Sequence, residues 1–90
     1  MRIRRAHQFA LDDARERVDL MAKSLEQRFS LRSHWQGDRL VFDGHGARGD
    51  VVIDEEAVEL NVRLGFALKF MEPAIRSAIE ETLDEQIAAG

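Results

Sequence analysis

Apolar residues recur at two different periods along the chain, and the changes of period divide it into elements. Over residues 11–29, Ala14, Val18, Met21, Ala22, Leu25 and Phe29 return every three or four positions. That is the stripe of an amphipathic helix. Asp12 and Asp13 stand where the positive end of the helix dipole favours acids. Arg15, Glu16, Arg17, Asp19, Lys23, Glu26 and Arg28 fill the remaining positions and predict a solvated face.

After Phe29 the period falls to two. Leu31, Ser33 and Trp35 alternate with Arg32, His34 and Gln36, and Gly37-Asp38 signals a turn. Leu40 and Phe42 continue the alternation until Gly44-His45-Gly46 breaks it. Val51 and Ile53 resume it, Asp54-Glu55-Glu56 make an acidic turn, and Val58, Leu60, Val62 and Leu64 form the cleanest alternating run. These are four strands of an antiparallel meander with one apolar face. The other face carries Arg32, His34, Arg39, Asp43, Asp50, Asp54, Glu59 and Arg63 and can meet water. Residues 2–9 add a weaker alternation, with Ile3, Arg5, His7 and Phe9 on one parity, and read as an edge strand.

Residues 65–71 form a connector that is apolar apart from Lys69. Pro73 suits the first turn of a second helix, whose stripe is Ile75, Ala78, Ile79, Thr82, Leu83, Gln86 and Ile87. Strands flanked by helices predict an α+β fold. The expectation is a four- or five-stranded antiparallel meander with an N-terminal and a C-terminal helix packed on one face, forming a single domain over residues 1–90.

Composition narrows the function classes. Ninety residues suit one small domain, and the absence of cysteine excludes disulfides and thiolate metal sites. The formal net charge of −4 argues against nonspecific nucleic-acid binding, which needs a basic face. No window approaches a bilayer-spanning apolar run, and Met1–Arg5 lacks the apolar stretch of a signal peptide. The expected setting is cytoplasmic.

Each candidate for chemistry lacks something. Gly44-His45-Gly46-Ala47-Arg48-Gly49 fits G-x-G-x-x-G. A phosphate loop needs a following helix, however, and Asp50–Ile53 continues as a strand. The glycines read instead as hairpin or bulge residues. His7, His34 and His45 form no metal-ligand pair, and neither His34 nor His45 has a nucleophile specified beside it. Ser24, Ser30, Ser33 and Ser77 stand in no nucleophile elbow. Asp43, Asp50, Asp54 and Glu59 could approach one another on the polar face, where carboxylates are ordinarily just solvated. Trp35 shares the parity of Leu31 and reads as a core residue whose indole N–H needs a partner. No catalytic residue, metal site or cofactor is assigned.

The most informative segment is Leu64 to Met71, which concentrates Leu64, Phe66, Leu68, Phe70 and Met71 around one glycine and one lysine. Three readings stand open: buried core where the last strand turns into the helix, a dimer contact, or an exposed patch that docks on a partner or a hydrophobic surface.

The order of features resembles a known family. The likeness rests on Ile3-Arg4-Arg5-Ala6-His7, Ala14-Arg15 with Val18, Leu31 to Trp35, the Gly44–Gly49 turn, Val58-Glu59-Leu60, Leu64-Gly65-Phe66, and the tail of Ile75, Ile79 and Leu83 with Asp84-Glu85. On these residues the chain is similar to the short polyhydroxyalkanoic acid system proteins, bacterial proteins associated with polyhydroxyalkanoate synthesis and granule genes. The resemblance implies a storage-polymer setting. It implies no established activity and offers no catalytic residues to carry over.

The leading expectation is therefore a non-enzymatic accessory protein of polyhydroxyalkanoate metabolism. It would bind a protein of that system or the granule surface through Phe66, Leu68, Phe70 and Met71. Two alternatives stand beside it. One is an acyl-type small-molecule binder or enzyme with a pocket between sheet and helices, although two helices over four or five strands leave little spare volume. The other is a homodimer joined through an edge strand.

Overall fold

The structure, a computed structural model, describes residues 1–88, with side chains described through residue 87. Its elements are β1 (Arg2–Ala6), α1 (Leu11–Phe29), β2 (Leu31–Gln36), β3 (Arg39–Gly44), β4 (Ala47–Ile53), β5 (Ala57–Leu64), a 3₁₀ helix (Phe66–Met71) and α2 (Glu72–Leu83). A π-helical turn over Asp84–Ala88 continues α2.

The strands form one antiparallel sheet in the order β1-β5-β4-β3-β2. The last strand of the meander thus returns beside the first strand of the chain, and β1 and β2 are the two free edges. Both helices cover the same face. The fold is the expected α+β arrangement, with five strands.

Register explains the core. Ile3 pairs with Leu60, Leu60 with Val51, Val51 with Leu40, and Leu40 with Trp35. These five residues make one row across the inner face. Val18, Met21 and Leu25 of α1 and Ile75, Ile79 and Leu83 of α2 are buried in the same cluster. Burial of these side chains is the main favourable contribution to folding, roughly 1.5–3 kcal/mol for each large one.

Helix α1 spans the predicted residues and ends at Ser30, which adopts a left-handed conformation at φ 54°. Leu31 then enters β2 without an intervening loop. Two residues of α1 clasp Trp35. The Arg15 guanidinium lies 4.4 Å from the ring centroid, and the indole N–H donates to Asp19 Oδ1 at 3.1 Å. Trp35 is half-buried, and its donor has the partner the sequence required. At the other edge, Arg5 of β1 donates to Glu80 at 3.1 Å and to Asp84 at 2.8 Å, tying β1 to the end of α2. These two acids hold the Arg5 guanidinium above its ordinary pKa, chiefly through the Asp84 hydrogen bond.

Three boundaries differ from the sequence expectation. β1 stops at Ala6 instead of Phe9, because the His7 ring turns inward. His7 Nε2 lies 2.7 Å from the Asp54 carbonyl oxygen, and the Phe9 amide donates to His7 Nδ1. β4 starts at Ala47 instead of Asp50, since the glycine turn takes only His45 and Gly46 between paired residues Gly44 and Ala47. The connector is helical, and α2 begins at Glu72 with Pro73 in its first turn.

Candidate functional site

The 3₁₀ helix divides its apolar residues between solvent and interior. Three residues complete a turn in this geometry, so positions i and i+3 share a face. Leu68 and Met71 are such a pair and turn toward the sheet and α1. Phe66 is 96% exposed, Phe70 81% and Met71 42%. The buried-core reading is therefore wrong for Phe66 and Phe70. It holds for Leu64 and Leu68, which are half-buried against the core cluster. The sequence could not sort them, because Leu64, Phe66, Leu68 and Phe70 recur every second residue as in the strand before them, whereas the backbone turns into a 3₁₀ helix at Phe66.

The connector is fastened to the glycine turn. The Gly65 amide donates to the Gly46 carbonyl oxygen at 2.6 Å, and the Leu68 amide donates to the Gly65 carbonyl oxygen. Gly46 has φ 84°, and the Leu68 side chain lies directly over it. Its role is a hairpin position that admits close packing, not phosphate binding.

Beneath the connector lies a cavity of about 210 Å³ between the sheet, α1 and α2. Its lining includes Met21, Ala22 and Leu25 of α1, Phe42, Ala47 and Val62 of the sheet, Leu68 and Met71 of the connector, and Ile75 and Ile79 of α2. The expectation of little spare volume is thus overturned. In the row after Leu60, Val62 pairs with Gly49, Gly49 with Phe42, and Phe42 with Ser33. In the next, Leu64 pairs with Ala47, Ala47 with Gly44, and Gly44 with Leu31. Gly44 and Gly49 stand in these rows, but Leu31 and Phe42 close over them, so the small side chains that face the cavity are Ala47 of the sheet and Ala22 of α1.

Polar groups reach the cavity at Glu26, Ser33 and His45. Ser33 Oγ donates to Glu26 Oε1. No hydrogen bond joins Ser33 to His45 among the described residues; the Ser33 hydroxyl is held by the Glu26 carboxylate instead. His45 is exposed, and His34 lies on the polar face beside Gln36, at 3.0 Å. No cluster of His, Asp and Glu is placed to hold a metal among the described residues, and no described helix is long and apolar enough to cross a membrane.

The acids of the polar face are engaged separately. Asp50 accepts from Arg39 and Asn61, and Glu59 accepts from Arg2. Asp54 accepts from the amides of Glu56 and Ala57, which hold its carboxyl below the usual range. At the connector end, Arg48 stands directly opposite Arg63.

The model of one protein family, described as putative polyhydroxyalkanoic acid system protein, matches residues 1–87. No curated protein and no solved structure matches the chain significantly.

Proposed function

The chain belongs to the family of putative polyhydroxyalkanoic acid system proteins, and from that premise we propose that it is a non-enzymatic accessory protein of polyhydroxyalkanoate metabolism that docks on the storage-polymer granule. The contact is the 3₁₀ connector. The observation that carries this reading is the near-complete exposure of Phe66 and Phe70 on one short helix.

Two phenylalanines in water forgo a large transfer free energy. Burying both in an apolar surface would supply roughly 3–6 kcal/mol before the costs of association are subtracted. That is enough for reversible attachment to a surface offering many equivalent sites. Met71 extends the patch, and the long stem of exposed Lys69 can lie along an apolar surface with its ammonium in water. The protein's negative formal charge favours an apolar attraction over attraction to an anionic layer.

The test is co-sedimentation with isolated polyhydroxyalkanoate granules. Wild type is expected to pellet with the granules, and Phe66→Asp/Phe70→Asp is expected to stay in the supernatant with an unchanged circular dichroism spectrum. Equal pelleting by a folded double variant overturns the reading.

A further inference from the structure

We propose that the cavity under the connector binds an aliphatic chain whose polar end is neutral and carries a hydroxyl group, as the end of a hydroxyalkanoate polyester does. The cavity lies behind the connector, among side chains of the sheet, α1 and α2, so the proposal stands whether or not the connector docks.

Size comes first. An apolar cavity of about 150 Å³ holds one six-carbon ring. At that ratio a volume of about 210 Å³ admits a chain of about eight carbons. It is too small for a drug-sized or nucleotide ligand, which occupies several hundred cubic ångströms.

Chemistry comes second. The interior wall of Met21, Ala22, Phe42 and Val62 offers no polar side chain, so what fills it must be hydrocarbon. A polar end can be met only where Glu26, Ser33 and His45 reach the lining. Ser33 already donates to Glu26, so the vacant capacity at that pair is acceptor capacity on the carboxylate. A ligand hydroxyl can donate there, whereas a ligand carboxylate would face the half-buried Glu26 with like charge. The site therefore selects an alcohol or hydroxy ester over a free fatty acid.

Access comes third. Met71 is both exposed and part of the lining, and Leu68 beside it rests on Gly46. The exposed lining residues Met71 and His45 mark where the cavity meets solvent.

The methionines supply the measurement. Met21 and Met71 line the cavity and Met1 does not, so methyl carbon–proton spectra of 13C-methyl-methionine protein carry an internal control. With methyl 3-hydroxyoctanoate the Met21 and Met71 signals are expected to shift saturably while Met1 stays in place. Octanoate is expected to bind at least tenfold more weakly, and Glu26→Gln to remove most of that difference. Ala22→Leu, which grows a side chain into the cavity, is expected to abolish the shifts. Ala47→Leu is the second filling variant if the first fails to fold. Absence of a Met21 shift, equal shifts at all three methionines, octanoate binding as tightly as the ester, or full binding by a folded filling variant would each overturn the proposal.

Discussion

The amide of Gly65 donates to the carbonyl oxygen of Gly46 across 2.6 Å. This one bond joins the start of the connector to the β3–β4 turn, so the exposed phenylalanines and the cavity entrance share an anchor. The anchor depends on glycine. A β-carbon at Gly46 would need the left-handed backbone at φ 84° and would lie 3.0 Å from Leu68 Cδ1. Gly46→Ala is expected to cost about 1–3 kcal/mol, the usual penalty for backbone strain of this kind. Urea denaturation checks it, and a cost below that range would mean the turn relaxes without strain.

The opposite situation holds at Ser30. Among the described residues it is the one besides glycine with positive φ, 54°. The left-handed region costs an L-residue about 1–2 kcal/mol, and glycine avoids it at some cost in unfolded-chain entropy. Ser30→Gly is therefore expected to stabilise the protein by up to about 1 kcal/mol, read as a higher urea midpoint with an unchanged slope. A lowered midpoint would show that the serine side chain contributes more than its backbone loses.

Most of the fold can be read in the chain because its elements repeat their own period. Helix α1 and strands β2 and β5 coincide with runs of unbroken periodicity. The failures occur where the deciding fact is non-local. Ala47-Arg48-Gly49 looks like a loop because three glycines fall within six residues, yet β5 pairs with it and draws it into the sheet. The cavity is the sharper case. Its small wall residues, Ala22 and Ala47, lie on different elements and share no local pattern. They meet only once α1 is laid on the sheet. For the candidate contact, the residue types were legible and the split between Phe66 and Phe70 outside and Leu68 inside was not. That split depends on the turn geometry of a 3₁₀ helix anchored by Gly46.

Trp35 gives an optical handle on acid stability. Its indole N–H donates to Asp19, and this bond, with that of Lys23, outweighs desolvation and holds the Asp19 carboxyl below its ordinary pKa. A carboxyl depressed in the folded state stabilises the protein above its unfolded pKa and loses that contribution as pH falls through the folded value. Wild type is therefore expected to lose stability below about pH 4, with a change in Trp35 fluorescence. Asp19→Asn should show a flatter acid limb and start from lower stability at neutral pH. Identical pH profiles would remove Asp19 from the acid transition.

The final prediction separates docking from folding within the connector. Phe66 and Phe70 contribute little to the packed interior, so Phe66→Asp/Phe70→Asp is expected to change stability by no more than about 0.5 kcal/mol, as for ordinary surface sites. Leu68 is three positions from Met71, lines the cavity and rests on Gly46. Placing a carboxylate there exposes it to the cost of a partly buried charge without a partner. Leu68→Asp is expected to destabilise by at least about 2 kcal/mol, the scale of losing one buried leucine contact. Urea midpoints of the two variants, measured side by side, make the comparison. A large loss in the phenylalanine variant would mean that these rings support the fold, and granule release by that variant could then no longer be assigned to the lost contact.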